Sequence, residues 1–283
     1  FTVTSPLDST FTKGELGIDV DIAGLASASS NKKQPAKSGL NFRLVDARGA
    51  IVASGSSTAK ADNRFNMTIN NIIPWSAENP YLYTLVMNLT DSRGTITETV
   101  GCNVGFRTSK VVDGLYTLKI KGVNRHAHSP QGRTVPKDLA ELDIRLFKEN
   151  NINTVRNCHY PQDRYWYHLC DKYGIYVIDE GNAESHGYGY GDESLAKRAE
   201  WIPAIINREA RMYAKSKNNP SVTFYSLGNE CGNGIVFEEA YRFMKKLEPN
   251  RPIQYERAIH DWNSDIFAKM YESVSSIENY AKD

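Results

Sequence analysis

Residues 153–179 decide the fold class, with the sequence NTVRNCHYPQDRYWYHLCDKYGIYVID. The segment from Asn153 to Arg156 predicts a short strand, and Asp163 to Tyr173 places its apolar residues on one helical stripe. Gly174 follows at a position that favours glycine at the end of a helix. The segment from Ile175 to Asp179 predicts the next strand. Strand, helix and strand in this order predict a parallel sheet covered by helices.

The same pattern recurs on both sides of this unit, with short apolar strands alternating with longer amphipathic helices. The other predicted strands are Leu118 to Val123, Ser221 to Leu227 and Pro252 to Glu256, and the other predicted helices are Lys137 to Asn150, Arg198 to Lys217 and Ile235 to Leu247. About five of the eight strands of a (β/α)8 barrel fit before residue 283. Residues 108–283 are therefore predicted to form a parallel sheet that is either open or the N-terminal part of a TIM barrel, truncated before closure.

Residues 1–107 alternate with period two, as strands of a half-buried sheet do. Leu40, Phe42 and Leu44 share one face of such a strand, and polar turns at 46–49 and 91–94 separate neighbouring strands. Several short strands joined by hairpins over about 100 residues predict an immunoglobulin-like β-sandwich. The segment from Ser27 to Ser38 predicts an exposed loop.

Charge and composition narrow the classes of partner. The chain has 34 basic and 33 acidic residues, a net charge of +1, so neither nucleic acid nor an anionic membrane surface is expected as a partner. Four cysteines without C-x-x-C spacing predict buried thiols and leave the compartment, cytoplasmic or periplasmic, undecided. The sequence begins Phe-Thr-Val-Thr without a methionine, which favours a start inside a longer protein.

Polar residues gather at the carboxyl ends of the predicted strands, where a barrel forms its active site. Histidines and carboxylates dominate this set. In chain order the residues are His126, His128, Arg156, His159, Asp179, Glu180, Glu184, His186, Asn229, Glu230 and Glu256. Four of the six histidines of the chain belong to it, which favours a catalytic site over a chance grouping.

Two chemistries fit these residues. In the first, Glu230 protonates a glycosidic oxygen, with a pKa raised by its surroundings, while a second carboxylate attacks the sugar. In the second, His126 and His128 hold Zn²⁺ for the hydrolysis of an amide or ester. The predicted fourth strand ends in Asn229 and Glu230, and only His260 lies near the fifth, so the spacing favours sugar chemistry. A non-catalytic carbohydrate-binding module remains a further alternative.

Four motifs resemble successive signatures of glycoside hydrolase family 2. They are KGVNRHAHSP (121–130), VRNCHYP (155–161), VIDEGNAESHG (177–187) and SLGNE (226–230). The resemblance implies a retaining β-glycosidase, foremost a β-galactosidase acting on terminal β-D-galactose, with β-glucuronidase or β-mannosidase as alternatives in the same family. It also implies a homo-oligomeric parent protein and a β-galactoside or related oligosaccharide as ligand.

The resemblance assigns roles to individual residues. Glu230 corresponds to the general acid/base, and Asn229 to the neighbour that binds the sugar 2-hydroxyl. Glu184, His186 and Glu230 correspond to ligands of Mg²⁺, with Na⁺ as a second possible cation of the family. The remaining substrate-binding positions implied by the resemblance are His126, Arg156, His159 and Tyr271.

The chain also departs from the family. The family's nucleophilic glutamate lies in a Cys-Glu-Tyr type motif beyond the acid/base, and no such motif follows Glu230. We therefore assign no nucleophile and expect this polypeptide alone to be inactive. Asn157 and Cys158 before His159, and Ala127 between His126 and His128, also differ from the commonest bacterial pattern.

Overall fold

The computed structural model describes residues 1–24, 38–113 and 115–282, so the predicted loop that starts at Ser27 lies, up to residue 37, outside the described residues. The chain divides into two compact units. One comprises residues 1–108, 165–176 and 217–221, and the other comprises 109–164, 177–216 and 222–283.

The first unit contains the antiparallel β-sandwich that the alternating sequence predicts. Its described strands are β1 (Thr2–Thr4), β2 (Lys13–Asp21), β3 (Gly39–Val45), β4 (Ile51–Thr58), β5 (Asp62–Asn70), β6 (Tyr83–Thr90) and β7 (Ile96–Val104). They form two sheets in the orders β1-β2-β5 and β4-β3-β6-β7. Leu40, Phe42 and Leu44 are buried on one face, as the period of two predicts.

The two polar turns join paired strands as predicted, β3 to β4 and β6 to β7. In each turn an aspartate accepts hydrogen bonds from two later backbone N–H groups: Asp46 binds the second and fourth residues after it, and Asp91 does the same. Gly49 and Gly94 adopt φ angles of 85° and 82°, which glycine reaches without strain. The same turn chemistry therefore fixes the register of both hairpins.

Helix α2 belongs to this first unit for most of its length and differs in part from the predicted stripe. It spans Arg164–Tyr173, and Trp166, Leu169 and Cys170 are buried as expected. Tyr173 is instead 42% exposed, whereas the charged Asp171 is buried. The buried face is therefore rotated from the face that hydrophobicity alone predicts.

Hydrogen bonds explain why Asp171 is buried. Its carboxylate accepts from the backbone N–H of Ser221 at 2.9 Å and from the side-chain amide of Asn219 at 2.6 Å. Its backbone carbonyl accepts from the indole N–H of Trp75 at 2.8 Å. Burial nevertheless raises the pKa of the Asp171 carboxyl to about 6, because these bonds only partly compensate for the loss of water.

The second unit contains a five-stranded parallel sheet within the described residues, and its helices follow the order of a partial TIM barrel. The strands are β10 (Gly122–Arg125), β11 (Thr154–Asn157), β12 (Tyr176–Glu180), β13 (Val222–Ser226) and β14 (Ile253–Gln254), in that spatial order. A small hairpin, β8 (Val111–Val112) and β9 (Leu115–Tyr116), precedes them. The helices are α1 (Lys137–Glu149), α3 (Ile202–Ser216), α4 (Ile235–Leu247) and α5 (Val274–Tyr280).

Strand β14 is much shorter than the predicted strand from Pro252 to Glu256. The backbone N–H of Tyr255 donates to the hydroxyl of Ser264 at 3.0 Å and that of Ile253 to the Asp265 carboxylate at 2.8 Å. These side-chain acceptors take the place of a neighbouring strand, and residues 256–258 turn into a 3₁₀ helix. Glu256 therefore leaves the ladder and becomes available to the site.

We predict that Asp171 makes the first unit less stable as the pH rises. The folded pKa of about 6 lies above the ordinary value of 3.8, so the folded state holds the proton more tightly. The contribution of the Asp171 proton to the free energy of unfolding is complete below pH 3.8 and is lost as the pH rises through about 6. The free energy of unfolding falls by about 3 kcal/mol over this range. Urea titrations of the wild type and Asp171→Asn at pH 4.5, 5.5 and 7 measure the difference.

In Asp171→Asn the side chain keeps an oxygen that accepts from the Ser221 N–H, and it does not titrate. The side-chain amide of Asn219 can turn over so that its oxygen accepts from the new amide N–H. The free energy of unfolding of the wild type should therefore fall relative to that of the variant as the pH increases. A difference that stays constant from pH 4.5 to 7 would show that the Asp171 carboxyl has an ordinary pKa.

Candidate functional site

The carboxyl ends of β11, β12 and β13 meet around the buried carboxylate of Glu180. This side chain is fully buried and accepts three hydrogen bonds, from Arg156 Nε at 2.5 Å, His159 Nδ1 at 2.6 Å and Ser226 Oγ at 2.7 Å. A carboxylate only accepts, so the proton of His159 lies on Nδ1 in this contact. Glu180 thus fixes the orientation of both Arg156 and His159.

Asn229 links this group to Glu184. Its side-chain oxygen accepts from Arg156 Nη2 at 3.0 Å, and its Nδ2 donates to the two carboxylate oxygens of Glu184 at 3.0 and 3.1 Å. The backbone N–H of Asn229 also donates to the carbonyl of Ala183 at 2.8 Å. The amide of Asn229 is therefore held in a single orientation, with its N–H groups toward the carboxylates.

Glu230 occupies a strained position directly after Asn229. Its φ of 47° lies in the left-handed region, which is uncommon for a residue with a side chain. The backbone N–H of Glu230 donates to Glu256 Oε1 at 2.7 Å, and Glu256 is itself 4% exposed. A buried carboxylate on the neighbouring segment therefore holds this backbone conformation in place.

Besides the neighbouring Asn229, three side chains contact the Glu230 carboxylate. Tyr190 Oη donates to Oε1 at 3.1 Å, Arg257 Nη2 donates to the same oxygen at 3.0 Å, and His186 Nδ1 lies 3.0 Å from Oε2. Partial burial raises the pKa of Glu230, but hydrogen bonds from His186 and Tyr190, together with Arg257, outweigh burial and lower the pKa below its ordinary value. The expectation of a raised pKa is therefore wrong for this carboxyl, because Tyr190 and Arg257 were not foreseen.

Glu184, His186 and Glu230 provide donors that fit a hard cation. Each offers one ligand atom, and these atoms lie within 4.8 Å of one another. The side chains of Glu184 and His186 are 40% and 62% exposed, which leaves room for the water molecules that Mg²⁺ retains. His186 contacts Glu230, whereas Glu184 contacts Asn229.

Three predicted histidines form a second group beside this one. The ring of His126 lies 5.4 Å from that of His128 and 5.1 Å from that of His159, measured between centroids. Burial and the neighbouring imidazoles of His159 and His128 lower the pKa of His126. Tyr271 is instead 92% exposed, on a turn before α5, and no described contact brings it to the other candidates.

Sequence reasoning missed Tyr190 and Arg257. Arg257 packs over the Tyr190 ring, 3.9 Å from its centroid, and forms an ion pair with Glu256 at 3.2 Å. Tyr190 lies in an irregular segment without periodicity, and Arg257 follows a strand that ends earlier than predicted. The signal that was available is the position of Arg257 directly after Glu256, at a strand end already marked as functional.

Glu209 is a buried acid on α3, behind the site. Neither of its carboxylate oxygens has a hydrogen-bond partner within the described residues. Burial, followed by the charges of Glu180 and Asp179, raises the pKa of Glu209 well above its ordinary value. A Cβ added at Gly181, one residue after Glu180, would overlap the Glu209 carboxylate. In this position the Glu209 carboxylate occupies space that is open because residue 181 is glycine.

A β-sandwich followed by part of a parallel barrel, with carboxylates, histidines and an Asn-Glu pair at the strand ends, places the chain among proteins that carry a polar site at the carboxyl ends of barrel strands. Residues 1–107 match Glycosyl hydrolases family 2, and residues 111–283 match the TIM barrel domain of the same family. The chain belongs to glycosyl hydrolase family 2.

Three similar proteins named as β-galactosidases agree with the assignment to this family. The chain is 39% identical to a β-galactosidase of Halalkalibacterium halodurans over 84% of its length, and 38% identical to one of Priestia megaterium over 99%. It is 34% identical to β-galactosidase BgaC of Bifidobacterium adolescentis over 99%. It spans 25%, 29% and 28% of these three proteins.

Solved structures confirm the fold. A β-D-glucuronidase of Dictyoglomus thermophilum matches 94% of the chain and 45% of its own length, with a TM-score of 0.78 and 21% identity. β-Glucuronidase 3 of Bacteroides uniformis matches 89% of the chain and 32% of its own length, with a TM-score of 0.74 and 22% identity. In the part of the chain that the structure describes, no helix has the length and apolar character needed to cross a membrane.

We predict that the effects of substitutions at Gly181 and Glu209 are strongly coupled. Gly181→Ala should lower the free energy of unfolding by about 1–3 kcal/mol, since the added methyl group overlaps the Glu209 carboxylate. In a Glu209→Ala background the same change should cost close to nothing, because the space is vacated. Denaturant titrations of the four proteins give the coupling energy.

Glu209→Gln is the matched control, because it retains the volume of the side chain and removes only its acidity. Gly181→Ala should cost as much in this background as in the wild type. Additive effects of Gly181→Ala and Glu209→Ala would contradict the proposed packing of residues 181 and 209.

Proposed function

We propose that the protein carrying this chain is a retaining β-galactosidase that hydrolyses terminal β-D-galactose residues. The observation that carries the proposal is the arrangement of Glu230 and Asn229 at the end of β13, bound to Glu184, Arg156 and Arg257. The choice of galactose is supported by 34–39% identity to the three named β-galactosidases. The glucuronidase structures are only 21–22% identical and support the fold alone.

In this proposal Glu230 is the general acid and base. It first donates a proton to the glycosidic oxygen as a carboxylate nucleophile attacks the anomeric carbon, and it then removes a proton from the attacking water. The lowered pKa of Glu230 in the free site suits the second step. A bound sugar that excludes water and displaces the contacts of Tyr190 or Arg257 raises the pKa again, as the first step needs. We assign no residue of this chain as the nucleophile.

Asn229, Arg156, His159 and His126 position the sugar in the proposed site. Asn229 Nδ2 lies 3.4 Å from Glu230 Oε2, its longest contact, which a sugar hydroxyl is best placed to replace. His159 Nδ1 is bound by Glu180, and Nε2 lies 3.9 Å from Glu184 Oε2. The rigid support from Glu180 means that little side-chain entropy is lost when these groups bind a sugar.

The proposed cofactor is Mg²⁺, held by Glu184, His186 and Glu230. When bound, the ion supplies positive charge that favours the ionised form of an adjacent carboxylate. It would also keep Glu184 and His186 at fixed positions beside Asn229. The role of Tyr271 in substrate binding stays a prediction, and the exposed position of this side chain gives it no support.

We predict that replacing Glu230 abolishes most turnover of the full-length protein that carries this chain. Glu230→Gln should lower kcat for nitrophenyl β-galactoside by roughly 10²–10⁴-fold, the usual contribution of a general acid/base. Glu239→Gln, a matched change on α4, should leave kcat unchanged. The β-glucuronide and β-mannoside should be poorer substrates for the wild type.

Rescue of activity by azide distinguishes an acid/base role of Glu230 from a nucleophilic role. With Glu230→Ala, azide needs no general base and should restore turnover, giving galactosyl azide with the configuration retained. Inversion of configuration in this product would assign Glu230 as the nucleophile. A preference for the glucuronide or the mannoside would replace galactose by that sugar, and turnover of none of the three would overturn the proposal.

We predict that chelation reduces activity and that added Mg²⁺ restores it. Glu184→Gln should raise the Mg²⁺ concentration needed for half-maximal activity by roughly tenfold or more, because it removes a charged ligand. Glu193→Gln, in the exposed segment after His186, is the control and should not change this concentration. An equal requirement in Glu184→Gln and the wild type would show that Glu184 does not hold the ion.

A further inference from the structure

We propose that His126, Cys158 and His159 form a second cation site, for a thiophilic divalent ion such as Zn²⁺. It is distinct from the proposed Mg²⁺ site at Glu184, His186 and Glu230. One ring nitrogen of each histidine and Cys158 Sγ all lie within 4.8 Å of one another. Two imidazoles and a thiolate are ligands that Zn²⁺ prefers and that Mg²⁺ does not.

The burial of the three side chains suits an ion that enters from solvent. Cys158 is 1% exposed, His159 is half-buried and His126 is exposed. The backbone N–H of Cys158 donates to the carbonyl of Arg125 at 3.2 Å, which joins the cysteine to the strand that leads into His126. The thiol therefore forms the floor of the site, and His126 lies at its entrance.

Glu180 already prepares His159 as a ligand. It accepts a hydrogen bond from Nδ1 at 2.6 Å, which leaves Nε2 as the ring nitrogen available to a cation. A carboxylate that binds the far nitrogen of a ligating histidine is the usual support of zinc sites, since it fixes the ring and increases its basicity. The same buried carboxylate would therefore serve both the sugar and the cation.

The site needs only side-chain movement to close. Zinc bonds of about 2.0–2.3 Å place tetrahedral ligand atoms roughly 3.3–3.8 Å apart. A separation of up to 4.8 Å therefore requires a contraction of about 1 Å, within reach of rotation at His126 and Cys158. Three protein ligands leave the fourth position to water. The Cys158 thiol loses its proton to solvent as the sulfur–metal bond forms, so charge and atoms balance.

Occupation of this site has a consequence for activity, which rests on the proposed function. His126 and His159 are the residues proposed to contact the sugar. An ion that binds both therefore excludes the substrate, and inhibition should be competitive with galactoside.

Cobalt titration tests the site without any measurement of activity. Co²⁺ added to the metal-free chain should produce the near-ultraviolet absorption of a thiolate–cobalt bond, which Zn²⁺ removes and excess Mg²⁺ does not. Cys158→Ser should lose this band and bind Co²⁺ at least tenfold more weakly. Cys102→Ser, in the sandwich, should behave as the wild type, and circular dichroism checks that each variant is folded.

His126→Ala supplies a second test at an exposed position, where folding is least affected, and it should weaken Co²⁺ binding at least tenfold. No thiolate band in the wild type, or a band that survives Cys158→Ser, would overturn the proposal.

In the full-length protein, Zn²⁺ should inhibit the wild type competitively and Cys158→Ser at least tenfold more weakly, each relative to its own turnover without zinc. Non-competitive inhibition would overturn the sharing of ligands with the sugar. Absence of galactoside turnover would instead remove the proposed function and leave the cobalt titration to decide on the site.

Discussion

The buried carboxylate of Glu180 is the constraint on which the site depends. It joins β11, β12 and β13 at their carboxyl ends through Arg156, His159 and Ser226. A charge in this position is stable only because three donors replace the water it has lost. Removal of Glu180 would leave the Arg156 guanidinium, which is 13% exposed, without its main counter-ion. Glu180 therefore sets the orientation of the side chains at the carboxyl ends of these strands, although it need not touch the substrate.

From Glu180 the order extends outward through hydrogen bonds rather than through apolar packing. Arg156 orients Asn229, and Asn229 in turn orients Glu184. Each of these hydrogen bonds fixes the orientation of a side chain and leaves part of its polar group exposed. The exposed polar atoms therefore remain free to bind a ligand. Glu256 does the same for Glu230 by fixing its backbone N–H. Rigid groups with exposed faces are what a site needs to bind a sugar with little loss of entropy.

The sequence was sufficient to predict the fold and the positions of most candidates, because periodicity locates each strand to within a few residues and a barrel brings the strand ends together. Helix α4 begins and ends at the predicted residues, Ile235 and Leu247. Contacts from irregular segments were not predictable in this way. Tyr190 reaches Glu230 from a segment without periodicity, and Asp171 is buried because particular donors meet it. Such contacts depend on tertiary structure, and the periodicity of the sequence does not predict them.

The carboxyl ends of the strands combine two sets of potential ligand atoms that differ in chemistry. Carboxylates dominate at Glu184 and Glu230, whereas imidazole and thiol groups lie together around His159, only 3.9 Å from Glu184. Hard cations favour the first set and soft or borderline cations favour the second. In the two proposed cation sites, selectivity would therefore follow from ligand chemistry rather than from distance. Because His159 borders both, a change in its orientation would affect both, and Glu180 is the residue that prevents such a change.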